Sequence, residues 1–336
     1  MGHIEELGLI RQIEKTFRQK DPNLLLGIGD DCASIKVSPG YELLVTTDTL
    51  VENVHFRKKL TTPKALGWKS AAVNLSDIAA MGGSPKFLFL SLSVTKEIDK
   101  RWMSSFLKGF KEALDPFGCV LAGGNFSSAK REISITATAL GEVKQGLKAL
   151  RSGAKPGDYI FVTGTPGDSA LGLDLLSSAK ENYKKHERKL IARHQTPTPR
   201  VEWGKIIAKN RLASAMIDIS DGVALDLYRI LEASGVSGEI DLAKFPLSKE
   251  TLKVSEEKGK IPWRRILTGG EDYELLFTVS PKKLEAVKRL VAGEKLDAVC
   301  IGALTKCGSR AVPSLKVLNV SGKELKLGAF GWTHKA

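Results

Sequence analysis

The chain has 336 residues, enough for two domains that each bury a core. Hydrophobic residues make up 42% and charged residues 26%, which is typical of a globular protein, and no apolar run approaches the ~20 residues of a membrane span. The net charge of +13 is consistent with binding of nucleic acid, binding of a phosphorylated small molecule, or solubility alone. Aromatic residues are 7% and do not alternate with basic ones, so we expect no nucleic-acid partner. The N-terminal residues lack a signal-peptide pattern, so we expect no membrane association and a cytoplasmic location.

In the first half of the chain, strand-like runs alternate with helix-like ones. Apolar and β-branched residues bounded by turn residues predict strands at 41–48, 86–94, 119–124 and 132–143. Helical spacing of apolar residues predicts helices at 62–80 and 97–114. The stretch GGNFSS, residues 123–128, is interpreted as a loop at the end of a buried strand, where two glycines would let the backbone approach a ligand.

A segment rich in Gly, Lys and Pro follows residue 145, and it predicts a junction between domains 1–146 and 147–336. A second alternation comes after it. It predicts strands at 159–164, 214–220 and 273–280, a helix beginning near 167, and another that Gly235 ends. The basic run 180–194 is interpreted as an exposed helix. The chain is therefore α/β in two halves.

Acidic side chains recur where apolar strands end in small or Gly-rich turns. These turns carry Asp30 with Asp31, Asp48, Asp218 with Asp221, and Glu271 with Asp272, and Asp77 lies on the first predicted helix. Each has an ordinary alternative as a helix cap, a turn residue or a surface residue, and Asp221 in particular could cap the following helix. If the carboxylates converged, two charges about 4 Å apart would repel by roughly 4 kcal/mol at an effective dielectric near 20.

Such a cluster is tolerable when cations neutralise it. Hard oxygen ligands favour Mg²⁺, which keeps waters and bridges to phosphates, so the substrate indicated is a nucleoside polyphosphate. The sequence contains no Walker A motif and no kinase H-R-D or D-F-G signature, and GIGDD lacks the third glycine of a dinucleotide fingerprint. Phosphoryl transfer here would use another scaffold.

Six motifs in order resemble one family. They are GIGDDCA, TTDTLVENVHF, NLSDIAAMGGSP, RSGAKPGD, IDISDGVALDL and GGEDYELLF. Together they resemble the thiamine-monophosphate kinase family, which belongs to the superfamily of aminoimidazole ribonucleotide synthetase, selenophosphate synthetase and the hydrogenase-maturation dehydratase. The resemblance covers the chain from about residue 5 to Trp332.

The resemblance implies a two-domain aminoimidazole ribonucleotide synthetase-like fold of mixed α/β (α+β) class. Domain 1–146 would bind ATP and Mg²⁺ and pair into a barrel-like homodimer, and the α/β domain 147–336 would complete the active-site cleft. The implied reaction converts ATP and thiamine monophosphate into ADP and thiamine diphosphate. Transfer would be direct and in line, with no catalytic covalent nucleophile.

The resemblance also implies roles for individual residues. The implied Mg²⁺ ligands are Asp30, Thr46, Thr47, Asp48, Asp77, Asp218, Asp221 and, as the doubtful member of the set, Asn125. The implied ATP contacts are Gly124, Asn125, Arg151 and Ser220, and the implied substrate contacts are His55, Glu271 and Trp332. Their chemistry suits these roles, because phosphoryl transfer needs positioning and charge neutralisation, an arginine grips phosphate, and an aromatic ring suits thiazolium or pyrimidine.

Two residues depart from the family pattern. Asn125 replaces the aspartate of the family's Gly-Gly-Asp, and Asn53 stands where glycine is common before Val-His-Phe. An amide oxygen can ligate Mg²⁺ but lacks the charge that strengthens binding. Three outcomes are open: one ion binds more weakly in a working enzyme, Ser127 or Ser128 compensates, or catalysis is impaired.

Three other functions remain as alternatives to the kinase. A sister ATP-dependent enzyme is one, although the selenophosphate-synthetase and hydrogenase-maturation cysteine motifs are not visible. A nucleotide-binding homologue with weak or no kinase activity is the second, and Asn125 favours it. Nucleic-acid binding is the third, and it depends on the net charge alone.

Overall fold

The computed structural model describes residues 12–17, 21–26, 28, 32–178, 180–308, 312–328 and 330–331. The chain divides into two compact units, of which the first comprises 1–78 and 83–146 and the second comprises 79–82 and 147–336. Asp30, Asp31 and Trp332 lie outside the described residues.

A four-stranded sheet forms the centre of the first unit. Its spatial order is β3-β6-β4-β5, and all pairs are antiparallel except β4 with β5. A short hairpin, β1 with β2, packs its apolar side chains against β4 and β5. The strands are β1 (Leu24–Leu26), β2 (Ser34–Ile35), β3 (Tyr41–Val51), β4 (Ser84–Val94), β5 (Val120–Ser128) and β6 (Ser134–Lys144).

Two helices of the first unit, α1 (Pro63–Ala80) and α2 (Lys100–Leu114), confirm the predicted helical spacing. Their backbones meet at glycines. A Cβ atom added at Gly67 would lie 2.0 Å from the carbonyl oxygen of Phe106, and one added at Gly109 would lie 1.8 Å from that of Lys64. The two helices can therefore pack this closely only because both positions lack a side chain.

The prediction of a loop at 123–128 is wrong. These residues continue strand β5, and Gly124 and Asn125 pair in parallel with Leu90 and Ser91 of β4. Glycine is needed here for a different reason, because a Cβ at Gly124 would lie 2.0 Å from the carbonyl oxygen of Leu90. The Gly-Gly pair marks close contact between strands rather than a chain reversal.

A six-stranded sheet forms the centre of the second unit. Its order is β12-β9-β11-β7-β10-β8, with antiparallel pairing throughout except between β12 and β9. The central strands β7 and β10 are buried along nearly their whole length. The strands are β7 (Tyr159–Thr163), β8 (Ala213–Asp218), β9 (Ser237–Asp241), β10 (Leu275–Val279), β11 (Ala298–Thr305) and β12 (Leu315–Leu318).

The helices of the second unit cover a core built from the apolar side chains of that sheet. The predicted C-terminal stop at Gly235 is confirmed, since its backbone is left-handed at φ 65°. The helices are α3 (Asp168–Ser177), α4 (Lys185–Gln195), α5 (Val201–Lys209), α6 (Val223–Ser234), α7 (Lys249–Glu257), α8 (Trp263–Thr268) and α9 (Leu284–Ala292). In the described part of the chain, no helix is long and apolar enough to cross a membrane.

Two readings of the second half need correction. The basic run 180–194 forms most of helix α4, but this helix is not simply exposed, because Glu187, Leu190, Ile191 and His194 are buried. Asp221 does not cap helix α6, whose N-cap is Gly222 and has no side-chain cap.

Candidate active site

The structure brings two predicted ligands, Thr46 and Asp77, together in the first unit. Thr46 Oγ1 donates a hydrogen bond to Asp77 Oδ2 over 2.5 Å, which joins strand β3 to helix α1. One helical turn before Asp77, the fully buried Asn74 has an Oδ1 atom without a hydrogen-bond partner. Hydroxyl and carboxylate oxygens held this close are hard donors of the kind that suits Mg²⁺.

Thr47 lies on the other face of the sheet. Its Oγ1 is 3.0 Å from Thr138 Oγ1 and accordingly belongs to a row of hydroxyls shared with strand β6. Because side chains alternate along a strand, Thr46 and Asp48 occupy the face opposite Thr47. The side chains of the predicted ligands on β3 are thus divided between two faces.

Asn125 and Asp48 lie on opposite outer strands of the described sheet. The strand register places Asn125 beside Ser91, Ser91 beside Thr136, and Thr136 beside Thr49. Strands β3 and β5 are therefore three inter-strand steps apart, which is about 14 Å at the usual spacing. Asn125 is exposed on the same face as Thr47, whereas Gly124 lies in the row of Asp48.

His55 is oriented by a tight turn that follows strand β3. The backbone N–H of Val51 donates to His55 Nδ1 over 3.0 Å, and the His55 N–H donates to the carbonyl of Val51 over 2.9 Å. Since Nδ1 accepts, the neutral ring carries its proton on Nε2. Asn53 in this turn has φ 65°, a left-handed conformation that asparagine tolerates better than most residues, so its replacement of the family's glycine is accommodated.

In the second unit, Asp226 holds the loop that follows strand β8. Its Oδ2 accepts hydrogen bonds from three consecutive backbone N–H groups, those of Ser220, Asp221 and Gly222, over 3.0 to 3.1 Å. Its Oδ1 accepts from Arg229 Nη1 over 2.6 Å. Burial raises the pKa of Asp226 to about 6, against the opposing effect of these donors. The backbone that carries two predicted site residues is thereby fixed.

Arg229 also pairs with Asp221 directly. Its Nη2 lies 2.6 Å from Asp221 Oδ2, so one guanidinium bridges a fully buried carboxylate, Asp226, and a partly exposed one, Asp221. The planar fork of arginine makes such a bridge possible.

The turn that carries Glu271 is tied to the same loop. The N–H of Glu271 donates to the carbonyl of Ser220, and the N–H of Tyr273 donates to that of Ile219, both over 2.8 Å. Glu271 and Tyr273 have φ values of 66° and 54°, which are unusual for residues with a side chain. Strain of this kind persists only where surrounding contacts enforce it, and functional turns are frequent examples.

The three acidic residues of this turn have three different partners. Glu271 Oε2 lies 3.4 Å from His194 Nδ1, which is also 3.1 Å from Ser169 Oγ. Asp272 accepts from the backbone N–H groups of Gly167 and Ser169 at the start of helix α3. Burial raises the pKa of Asp272 well above its ordinary range.

Glu274 forms the third partnership, a buried ion pair. Both nitrogens of one edge of the Arg200 guanidinium donate to its carboxylate, and Thr163 Oγ1 donates to Oε2 over 2.7 Å. The Glu274 side chain is 4% exposed, so almost all of its charge is compensated inside the protein. This pair anchors the end of the turn to strand β7 and to the segment before helix α5.

The remaining predicted residues of the second unit lie along strand β8. Asp218 is buried at the C-terminal end of β8. Arg151 is exposed in a segment beside this strand, where the carbonyl of Leu150 accepts from the N–H of Met216 over 2.8 Å. Among the described residues, no three His, Cys, Asp or Glu side chains form a group that could hold a metal ion. Asp30, one of the implied ligands, is outside that set.

Sequence reasoning missed the residues that support the predicted ones. The spacing of Asp226 and Arg229 on one helix face was a usable signal, since residues three apart are neighbours. No local signal could have paired His194 with Glu271 or Arg200 with Glu274, because each pair joins distant segments of the chain.

The chain matches two family descriptions in succession. Residues 29–143 match the AIR synthase related protein, N-terminal domain, and residues 155–312 match the AIR synthase related protein, C-terminal domain. A thiamine-monophosphate kinase of Buchnera aphidicola subsp. Schizaphis graminum is 40% identical over 306 residues, which are 89% of this chain and 91% of that protein. That of Aquifex aeolicus is 42% identical over 278 residues, 83% of this chain and 87% of its own length.

A solved structure extends the likeness to three dimensions. AaThiL complexed with AMPPCP and TMP has a TM-score of 0.77 and 38% identity, covering 98% of this chain and 97% of that one. The two matched domains define the class, a two-domain AIR synthase related protein of mixed α/β architecture. Within that class, the chain belongs to the thiamine-monophosphate kinase family.

Proposed function

We propose that this protein transfers the γ-phosphoryl group of ATP to thiamine monophosphate and forms thiamine diphosphate. The observation that carries the proposal is the likeness, over 98% of the chain, to AaThiL complexed with AMPPCP and TMP. The curated relatives, at about 40% identity over most of their length, are named for the same activity. The reaction fits a cytoplasmic enzyme, where ATP and the phosphorylated vitamin are available.

The chain supplies the oxygen donors that Mg²⁺ requires. We infer that Mg²⁺ is held by Asp30, Thr46, Asp48, Asp77, Asp218 and Asp221. Thr47 lies on the other face of the sheet, so its role as a ligand depends on a homodimer. The 2.5 Å contact between Thr46 and Asp77 supports this, because these side chains from different elements already adjoin. When bound, Mg²⁺ would neutralise the triphosphate and acceptor phosphate, which otherwise repel each other.

The other proposed roles concern the two substrates. Gly124, Arg151 and Ser220 serve ATP, and the exposed guanidinium of Arg151 suits a phosphate group. His55 donates from Nε2–H to the acceptor, since its Nδ1 is engaged by Val51. Glu271, oriented by His194, accepts from the aminopyrimidine, and Trp332 stacks on the vitamin. No side chain needs to form a covalent intermediate.

A homodimer is part of the proposal. One Mg²⁺ holds its ligands at about 2.1 Å, so two ligands of one ion lie within about 4 Å of each other. Asp48 and Asn125 are on strands about 14 Å apart in one chain, so they cannot share an ion there. If Asn125 and Asp48 hold one ion together, a second copy must supply Asn125. Leu43 and Val45 are exposed on the face of β3 that carries Thr47, and these apolar side chains support pairing of two copies there.

The central experiment is direct. Purified protein is incubated with Mg²⁺, ATP and thiamine monophosphate, and thiamine diphosphate is measured by chromatography. We expect product in the wild type and in Asp241→Asn, and a loss of at least about a hundredfold in Asp218→Asn, since Asp218 is a proposed ligand. Tight ATP binding without product would overturn the proposal in favour of a nucleotide-binding homologue.

A mixing experiment tests the shared site. Asp48→Ala and Asn125→Lys are each expected to be nearly inactive, but co-refolded together they should recover about a quarter of wild-type activity, because half of the dimers are mixed and each has one intact site. A single-chain site would leave the mixture as inactive as its components.

A further inference from the structure

Arg229 stands where a cation would be expected at Asp221. Its Nη2 is 2.6 Å from Asp221 Oδ2, and both side chains are partly exposed, at 33% and 25%. The arginine is one helical turn beyond Asp226, to which its Nη1 is also bonded. We propose that Arg229 is a displaceable counter-ion that holds Asp221 in the absence of a divalent ion and yields it when the ion binds.

This inference rests on the proposed function, because it takes Asp221 to be a Mg²⁺ ligand. The geometry separates what can move from what is fixed. Three N–H groups of the loop, including that of Asp221 itself, are bonded to Asp226 Oδ2. The loop backbone is therefore held whether or not Arg229 contacts Asp221. A change of partner requires only the Asp221 side chain to turn.

The second contact of Arg229, with Asp226, keeps the free-energy cost of releasing Asp221 small. When Asp221 turns to an ion, the guanidinium keeps its 2.6 Å bond to Asp226, a fully buried carboxylate. No buried charge is left without a partner, which is the costly outcome when an ion pair is broken. A divalent ion attracts Asp221 about twice as strongly as a single positive charge at equal distance. The exchange therefore favours the ion, but less than it would with an unpaired carboxylate.

The consequence is a lowered affinity for the ion. In the wild type, an incoming ion competes with Arg229, so removing the guanidinium should strengthen binding at Asp221. A purely structural role predicts the reverse, since the loop would lose a support and its ligand would be less well placed. The sign of the change in metal affinity therefore distinguishes a counter-ion from a residue with a purely structural role.

The probe is Mn²⁺, which replaces Mg²⁺ at oxygen sites and whose free concentration is measured by electron paramagnetic resonance. Titrations use the full-length protein without nucleotide. We expect Arg229→Met and Arg229→Gln to bind Mn²⁺ about two- to fivefold more tightly than the wild type, which is the upper part of the range for a partly exposed ion pair. The glutamine variant keeps a donor for Asp226, so it guards against misfolding of the loop.

Two controls complete the design. Lys316 lies on β12, at the other edge of the sheet from β8, and Lys316→Met removes the same charge from an ion pair with Glu239 of β9. This variant should leave Mn²⁺ binding unchanged. Asp221→Asn should weaken binding and thus assign the site. Unchanged or weaker binding in both Arg229 variants, or unchanged binding in Asp221→Asn, overturns the inference. Thiamine diphosphate formation by the wild type is measured separately. The proposed kinase activity can therefore be confirmed even if the proposed role of Arg229 is wrong.

Discussion

Two Gly-Gly pairs of this chain, Gly123-Gly124 and Gly269-Gly270, have similar sequence surroundings and different structures. The first lies inside strand β5 and pairs with β4. The second opens an irregular turn in which two residues with side chains adopt positive φ. Both pairs nevertheless meet the same requirement. A Cβ at Gly124 would lie 2.0 Å from the oxygen of Leu90, and one at Gly270 would lie 2.2 Å from that of Ser220.

The comparison shows what a glycine pair does and does not predict. In both regions, the glycine pair marks a place where a backbone carbonyl from another segment comes too close for a side chain. It does not predict whether the chain reverses there. The turn at Gly270 is enforced by contacts from distant segments of the chain. The extended conformation at Gly124 is instead held by pairing with the neighbouring strand β4.

The largest effect is expected where the turn is anchored. Arg200→Met removes both guanidinium hydrogen bonds from the buried Glu274 carboxylate, to which Thr163 still donates and which has Arg193 at 3.7 Å. Breaking a buried ion pair typically costs 3–5 kcal/mol, so we expect a loss of about 4 kcal/mol in unfolding free energy. Urea denaturation measures it. The control is Lys288→Met, whose ion pair with Glu285 is largely exposed and should contribute less than about 1 kcal/mol. Equal losses in the two variants would mean that Glu274 is not effectively buried.

Gly270→Ala tests the turn itself. The new methyl group would collide with the Ser220 oxygen, and the backbone bond from Glu271 to Ser220 prevents the two segments from separating freely. We expect a loss of about 3 kcal/mol by the same measurement. Gly308→Ala, where a Cβ meets nothing within 4 Å, should be nearly neutral. A neutral Gly270→Ala would show that the turn is looser than described.

Gly124→Ala is the matching change in the strand. The overlap with Leu90 is as close, but β5 is an outer strand of the described sheet and can shift, so we expect a smaller loss of about 2 kcal/mol. Gly123→Ala is the control, since its Cβ would meet only the Phe89 ring at 3.0 Å. If Gly123→Ala were the more damaging of the two, the register of β5 would have to be revised.

A pH series sharpens the description of the turn. Because burial raises the pKa of Asp272, this carboxyl keeps its proton in the folded protein at pH values above about 4, where the unfolded chain loses it. Its contribution to the unfolding free energy therefore falls as pH rises through this window. Asp272→Asn cannot titrate, so its stability should fall less between pH 4 and 8. Glu285→Gln, at a site whose pKa is lowered by Lys288, should not reduce that fall.

The smallest effect concerns the strand that carries Asn125. Asn125→Asp adds charge at a proposed ligand, so we expect the Mg²⁺ concentration for half-maximal activity to fall about two- to fivefold without a large change in stability. Lys130→Gln, at an exposed position just beyond β5, makes the same change in net charge and serves as control. A requirement that is unchanged, or changed equally by both variants, would count against a ligand at position 125.

The regular elements could be read from the sequence because alternation and helical spacing are local. Strand β3 was predicted at 41–48 and spans Tyr41–Val51, and helix α1 was predicted at 62–80 and spans Pro63–Ala80. The contacts between side chains of distant segments could not be predicted from the sequence, since they depend on which segments meet in the fold. The bonds of Asp226 to three N–H groups and of His194 to Glu271 appear only in the folded chain. The roles proposed for Asp30 and Trp332 stay predictions from the resemblance.

The width of the first unit's sheet has a consequence for how the enzyme should be assayed. If Asp48 and Asn125 hold one ion together, as proposed, their positions on the two outer strands of the described sheet would leave a lone chain with two half-sites and no whole one. Specific activity should then depend on protein concentration and decline on dilution, as monomers outnumber pairs. Turnover measured at nanomolar enzyme would report the strength of self-association as much as the chemistry.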